Sequence, residues 1–116
     1  MKYNYKVEIT ENNGKKQFLF RIPDEIGIVG VLFNYDLQTV EIGQRILNYC
    51  LNVLKGKVDM EEIGSDSCST TIKPDYVEII HRYSEENNIC IIETLEFKLL
   101  LEAYLEEKRK YLKSMV

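Results

Sequence analysis

The N-terminal pattern of hydrophobic and polar positions predicts a β-hairpin. Residues 2–10 alternate in polarity with the apolar side chains at odd positions, as in a strand with one buried face. Asn13-Gly14 follows and favours a type I′ turn, because both central residues of that turn need a positive φ. This turn makes every apolar residue of the first strand face an apolar partner: Ile9 with Phe18, Val7 with Phe20 and Tyr5 with Ile22.

The next stretch predicts a buried strand followed by a helix. Ile26 to Phe33 is apolar at both parities, which is typical of a central strand covered on both faces. Asn34 to Gln38 is expected to be a connection, Thr39 an N-cap, and Val40 to Leu54 a helix with Gly43 at a close approach and Gly56 at its end. Its predicted buried residues are Ile46, Leu47, Cys50, Val53 and Leu54.

Residues 58–74 leave alternatives open. Val58 to Ile63 fits either a strand or a loop. Gly64 to Thr71 is rich in small polar residues, which indicates a surface loop that leads into a short strand ending at Ile72.

The C-terminal part predicts a strand over Tyr76 to Tyr83, a turn over Ser84 to Asn88, and a strand over Ile89 to Glu93. Thr94 is the expected cap of a final helix, on which Glu106 and Lys110 form an i,i+4 pair. The predicted buried residues of that helix are Phe97, Leu100, Leu101, Tyr104, Leu105, Tyr111 and Leu112.

These elements follow the order β-β-β-α-(β)-β-β-α. A length of 116 residues corresponds to one domain. We therefore expect residues 1–116 to form a single α+β domain, with a mostly antiparallel sheet of about five to six strands and two helices on one of its faces.

The candidate nucleophiles lack any signature spacing. Cys50, Cys68 and Cys90 are odd in number and include no C-x-x-C, which argues against a disulfide framework and a thiolate zinc site. We expect core thiols at Cys50 and Cys90 and a loop thiol at Cys68. His81 is the only histidine and lies on the apolar parity of its strand, so a structural role is favoured over a Cys68/His81/Asp66 constellation.

Metal and phosphate motifs are also missing. Asp59, Glu61, Glu62 and Asp66 offer hard-cation ligands, but the EF-hand spacing and its glycine are absent. The chain has no glycine-rich phosphate loop. We therefore assign no catalytic, cofactor-binding or metal-binding residue.

The distribution of charge is the informative feature. Residues 59–96 carry a net charge of −8, whereas residues 1–58 and 97–116 each carry +2. Clustered negative charge speeds the encounter with a basic protein and repels nucleic acid. The residues expected to bind a basic partner are Asp59, Glu61, Glu62, Asp66, Asp75, Glu78, Glu85 and Glu86, with Tyr76 and Tyr83 as aromatic contacts.

The apolar strand that runs into E-T-L-E-F-K-L-L-L-E-A-Y-L-E-E resembles small immunity proteins of bacterial polymorphic-toxin and contact-dependent growth inhibition systems. The resemblance covers mainly residues 76–112, and Tyr104 stands where such a helix often has Trp. It implies a non-enzymatic protein that neutralises a toxin domain, often a basic nuclease, by covering its active or substrate-binding site. The acidic residues of 59–96 would then meet the basic surface of the toxin.

Two other functions stay open: a structural or adaptor homodimer formed through an exposed sheet edge, and a small carboxylate-dependent enzyme that uses Mg²⁺. No apolar run reaches membrane-spanning length, and the N-terminus lacks an apolar signal core. We therefore expect a cytoplasmic protein without a membrane association, monomeric until it binds its partner.

Overall fold

The structure is a computed structural model that describes residues 1–115, and it confirms the α+β class. The strands are β1 Lys6–Asn12, β2 Lys15–Arg21, β3 Glu61–Gly64, β4 Cys68–Ile72, β5 Tyr76–His81 and β6 Ile89–Glu93. The helices are α1 Gly27–Val31, α2 Val40–Leu54 and α3 Thr94–Ser114. Within residues 1–115, none of the helices is long and apolar enough to cross a membrane.

The predicted hairpin and its turn are confirmed, and so is the register of two of the three predicted pairs; β1 begins at Lys6 and β2 ends at Arg21, so the predicted Tyr5–Ile22 pair lies outside the ladder. Val7 pairs with Phe20 and Ile9 with Phe18 across β1 and β2. Asn13 and Gly14 adopt φ values of 54° and 78°, as the type I′ turn requires. Phe18 and Phe20 are buried, so β2 carries the face that packs on the rest of the molecule.

The central strand predicted over Ile26 to Phe33 is wrong, because this segment is helical. A 3-10 turn over Asp24–Ile26 leads into α1, and a π-helical turn over Leu32–Asp36 follows it. A short run that is apolar at both parities fits a buried helix as well as a buried strand. Ile26, Val29 and Phe33 recur at helical spacing and are buried.

A side chain of this helical segment occupies the outer edge of β2. The Asn34 Oδ1 accepts a hydrogen bond from the Phe20 N–H at 2.9 Å, and the Asn34 Nδ2 donates to the Phe20 carbonyl at 3.0 Å. The carboxamide therefore satisfies both backbone groups that Phe20 directs away from β1.

Helix α2 agrees with its prediction. The Ile42 N–H donates to the Thr39 Oγ1 at 3.2 Å, which confirms the N-cap. Gly56 has a φ of 76°, the left-handed conformation expected of a glycine that ends a helix. A Cβ on Gly43 would lie 2.7 Å from the Leu105 Cδ2, so this glycine lets α2 and α3 approach closely. Leu54 is only partly buried.

The predicted short strand ending at Ile72 is confirmed as β4, but the surface loop predicted over Gly64 to Thr71 is wrong except at residues 65–67, because β3 extends to Gly64 and β4 begins at Cys68. Of the two alternatives for Val58 to Ile63, the strand holds from Glu61. Cys68, Thr70 and Ile72 alternate as its buried face, so Cys68 is a core thiol and not a loop thiol. Small polar residues suggested a loop, but Thr is also a good strand former. Thr70 is a polar residue at a buried position, and this hid the core face of β4 in the sequence. Its hydroxyl has no hydrogen-bond partner among the described residues.

The C-terminal elements lie close to their predicted positions. Strand β5 ends at His81, two residues before Tyr83, which is 75% exposed. Thr94 is not the cap of α3: Glu93 holds the N-cap position, and the buried Thr94 hydroxyl donates to the Lys73 carbonyl at 2.6 Å. Leu112 is exposed, contrary to prediction, because α3 extends beyond the core there.

The strands form two sheets instead of the one expected. The hairpin β1–β2 is separate from an antiparallel meander in the order β3-β4-β5-β6. Helix α3 packs on both and on α2. Its Tyr104 ring meets those of Phe18, Phe20 and Phe33 at centroid distances of 6.0, 5.6 and 5.2 Å, which places an aromatic core between the hairpin and the helices.

Candidate protein-binding surface

The four-stranded meander has one buried face and one exposed face, because side chains alternate along each strand. Cys68, Ile72, Val77, Ile79 and Ile92 are buried on the inner face, against the helices. The outer face consists of the residues of opposite parity. These are Glu62, Gly64, Ser69, Thr71, Tyr76, Glu78, Ile80, Ile89, Ile91 and Glu93.

Strand register arranges this outer face in rows across the sheet. One row runs Glu62, Thr71, Glu78 and Ile91, and the next runs Gly64, Ser69, Ile80 and Ile89. Tyr76 and Glu93 form a third row on β5 and β6. Ile80, Ile89 and Ile91 thus make an aliphatic strip beside carboxylates.

Several of these side chains are available to a partner. Tyr76, Ile89 and Ile91 are 53%, 53% and 60% exposed, which is unusual for two isoleucines on neighbouring positions of one face. Glu78 and Ile80 are half-buried. Apolar side chains framed by charge are the composition expected of a protein-binding surface.

The structure brings three of the ten sequence-predicted partner-binding residues onto this outer face: Glu62, Tyr76 and Glu78. Glu61 lies on the opposite parity of β3 and is half-buried. The other six lie at the two ends of the sheet.

One end of the sheet carries four of those six residues. Asp66 is in the β3–β4 turn, and Tyr83, Glu85 and Glu86 are in the β5–β6 loop; the two connections are neighbours because Cys68 pairs with His81. At the opposite end, Asp59 precedes β3 and Asp75 lies between β4 and β5. Residues 59–96, the acidic segment, therefore place carboxylates at both ends of the outer face as well as on it.

Sequence reasoning missed Ile80, Ile89, Ile91 and Glu93 as surface residues. Ile89 and Ile91 belong to an apolar strand whose exposed parity is decided only by the register with β5. The available signal was the acidic Glu78, which shares the outer face with them once the strands are paired.

A buried carboxylate shapes the end of the sheet that carries Asp66. The Asp36 Oδ1 accepts from the Ser67 Oγ at 2.6 Å, and its Oδ2 accepts from the Ser67 N–H at 3.1 Å and from the Ser65 Oγ. Burial by itself raises the pKa of Asp36, but the hydrogen bonds from Ser65 and Ser67 outweigh it and leave the pKa below its ordinary value. Asp36 is therefore an ionised anchor for the β3–β4 turn.

Arg82 holds the same turn from the outer side. Its Nη1 donates to the Cys68 carbonyl at 2.5 Å and to the Ser69 Oγ at 2.9 Å, and its Nη2 donates to the carbonyls of Ser65 and, at 2.9 Å, Asp66. The hydrogen bonds of the Arg82 guanidinium therefore stabilise the β3–β4 turn, although Arg82 lies within the acidic segment.

The Cys68/His81/Asp66 constellation comes together only in part. Cys68 and His81 are opposite each other on β4 and β5, but the Asp66 carboxylate accepts from the Gln38 Nε2 at 2.9 Å. Burial raises the pKa of the Cys68 thiol, and the Asp36 carboxylate raises it further, against the opposing effect of the Ser67 hydrogen bond. A thiol in this setting stays protonated, unlike an activated nucleophile.

The other thiols are equally unsuited to ionisation. Burial raises the pKa of Cys50 to about 11 and raises that of Cys90 as well. The hard-cation set Asp59, Glu61, Glu62 and Asp66 is divided between two ends and two faces of the sheet. Across the described chain, no three His, Cys, Asp or Glu side chains are grouped as metal ligands would be.

The outer face of the meander, with its acidic ends, is therefore the candidate site, and its chemistry suits binding of a basic macromolecule. Comparison with known proteins assigns no family to it: no protein-family model, curated protein or solved structure matches this chain.

Proposed function

We propose that this chain is a non-enzymatic binding protein of the immunity or antitoxin kind, which neutralises a basic toxin domain by docking on it through the outer face of the four-stranded sheet. The observation that carries the proposal is the aliphatic strip of the exposed Ile89 and Ile91 and the half-buried Ile80, beside Glu78 on β5, with Glu62 farther along the same face on β3. Buried aliphatic contacts supply affinity, and the surrounding carboxylates select a basic partner.

The distribution of charge along the chain supports docking through the outer face of the meander. The meander and its connections contain the segment of net charge −8, whereas both flanking segments are net positive. A basic toxin is therefore attracted to the meander more than to the hairpin, to α2 or to the C-terminal part of α3. A nuclease domain is the favoured class, because its substrate-binding surface must itself be positive to hold nucleic acid.

We expect the gene immediately upstream to encode a large secreted protein with a basic C-terminal domain, and the test is a neutralisation assay with that domain. The C-terminal domain encoded immediately upstream is expressed in bacteria with and without this chain, and growth is measured. We expect growth arrest that the wild-type chain relieves and that a Glu62→Lys/Glu78→Lys variant fails to relieve.

A matched control variant, Glu11→Lys/Glu41→Lys, changes the net charge equally on the hairpin and on α2 and should still relieve the arrest. Both variants are first checked for unchanged folding by circular dichroism. Equal protection by both variants would rule out docking through the outer face, and no protection by the wild-type chain against any basic toxin domain would rule out the function.

A further inference from the structure

Strand β6 is one of the two edges of the meander, and the direction of its backbone groups can be read from its neighbours. The His81 N–H donates to the Asn88 carbonyl at 2.7 Å, and the Thr94 N–H donates to the Asp75 carbonyl at 3.0 Å. Ladder bonds alternate along an antiparallel pair, so the even-numbered residues of β6 bond to β5. The N–H and C=O groups of Ile89 and Ile91 and the N–H of Glu93 therefore point outward, with no backbone partner in residues 1–115. The Glu93 carbonyl is used by α3, because Glu93 is the N-cap of that helix.

The two edges of the meander differ in how well they are protected. The β3 edge has only four residues, Glu61–Gly64, two of them glutamates, which is a usual protection against pairing. Strand β6 reads I-C-I-I-E, has neither Lys nor Pro, and exposes more than half of Ile89 and of Ile91. The β6 edge is therefore open to an added strand.

Both ends of this open edge are acidic. Glu85 and Glu86 lie in the loop that enters β6, and Glu93 and Glu96 lie where it leaves. At the leaving end, a cleft of 420 Å³ is lined by Pro74, Asp75, Tyr76, Glu93, Leu95 and Glu96. Lys2 is bound there to Glu93, with its Nζ 3.2 Å from the Glu93 Oε1.

These charges oppose pairing with a second copy of the chain. An antiparallel pairing of two β6 strands around a two-fold axis places the Glu85-Glu86 loop of one copy beside Glu93 and Glu96 of the other. Like charges that face each other across strands are destabilising. A strand with basic residues at its ends would instead be attracted, because carboxylates of this chain lie near both ends of β6.

We propose that β6 accepts an extended basic segment of the partner as a fifth strand. This inference rests on the proposed function and specifies how the partner is held. The segment spans about five residues, has apolar side chains over Ile89 and Ile91, and carries Lys or Arg at its ends. One of these basic side chains enters the cleft, with its aliphatic part on Tyr76 and Leu95 and its charge at Asp75, because Lys2 already binds Glu93 through its Nζ and Glu96 through its backbone N–H.

The test uses a synthetic peptide of alternating valine and threonine with two lysines at each end, and the same peptide with glutamates in place of the lysines. Binding to the full chain is followed by NMR, together with amide hydrogen exchange. We expect the lysine peptide to slow exchange of the Ile89, Ile91 and Glu93 amides, which β5 does not protect, and the glutamate peptide to leave them unchanged.

A proline substitution tests the backbone contact directly. Ile91→Pro removes an N–H that points to solvent, so the ladder with β5 is kept. We expect it to weaken binding of the lysine peptide at least about tenfold, since it removes one hydrogen bond and blocks the approach of a strand. The matched control Ile91→Val keeps the N–H and an apolar side chain and should bind within about twofold of wild type.

Equal binding to the wild type and to Ile91→Pro, or slowed exchange elsewhere on the chain only, would overturn the proposal. A concentration-dependent protection of the same amides without peptide would also overturn it, because a second copy would then occupy the edge. If Ile91→Pro does not fold, the exchange pattern of the wild type decides alone. The neutralisation assay separates the two proposals: loss of peptide binding at β6 leaves docking through Glu62 and Glu78 standing, and a peptide-binding edge without neutralisation refutes only the function.

Discussion

Asp36 illustrates how one polar side chain fixes the geometry of the candidate surface. It comes from the helical segment that precedes α2, yet it accepts the hydrogen bonds of Ser65 and Ser67 in the β3–β4 turn. Its side chain is 5% exposed, so the energy of these bonds is not shared with solvent. The position of Asp66, at the end of the acidic surface, depends on this anchor.

We expect Asp36→Asn to lower the free energy of unfolding by about 1–3 kcal/mol, because the amide presents donors to hydroxyl and N–H groups that need acceptors. Urea unfolding at neutral pH measures the loss. The exposed Asp59 provides the control, since Asp59→Asn should change stability by less than about 0.5 kcal/mol.

The same carboxylate predicts a pH dependence of stability. The pKa of Asp36 is lowered on folding, so its ionised form stabilises the fold above the ordinary value of 3.8 and this contribution is lost as pH falls through the lower folded pKa. The stability difference between wild type and Asp36→Asn should therefore be largest above that value and shrink below it. Parallel curves for the two proteins across this range would contradict the assignment.

Two glycines in helices should respond in opposite ways to replacement by alanine. Gly27 begins α1 with open space around it, whereas Gly43 sits where α2 touches α3. Gly27→Ala should stabilise the protein by up to about 1 kcal/mol through helix propensity. Gly43→Ala should destabilise it by about 1 kcal/mol, because the overlap with Leu105, a fully buried side chain, exceeds that gain. Thermal unfolding of both variants checks the pair, and a stabilised Gly43→Ala would show that Leu105 can move aside.

Elements with a local geometric signature could be predicted from the sequence. Asn13-Gly14 defines the hairpin register, and Thr39 with Gly56 delimits α2. The segment Ile26 to Phe33 has no such signature, since its apolar positions satisfy a buried helix and a buried strand alike. The core face of strand β4 was hidden because Thr70 occupies a core position.

The candidate surface was predictable in charge but not in shape. The acidic segment was visible in the sequence, yet the exposed parity of Ile89 and Ile91 depends on β6 being an edge strand paired with β5. Pairing and edge position are properties of the tertiary structure, so neither residue stood out along the chain.

The uneven distribution of charge over the molecule predicts how the rate of association with a basic partner depends on salt. Residues 59–96 carry a net charge of −8 at the outer face and both ends of the four-stranded sheet, so a basic toxin domain should be steered to this part of the molecule over a long range. We expect the association rate to fall at least about tenfold between about 0.01 M and about 0.5 M salt, because the Debye length shortens from about 30 Å to a few ångströms. Stopped-flow mixing measures this rate, and a rate independent of salt would refute steering by charge.

The contact between Asn34 and Phe20 bears on how the molecule folds. Only 14 positions separate these residues, so the hairpin and the first helical segment can assemble without closing a long loop. The meander is likewise built from neighbours in the sequence. Helix α3 instead makes contacts between residues far apart in the sequence, such as that of its Tyr104 ring with Phe18, and such contacts should limit the folding rate because they close long loops.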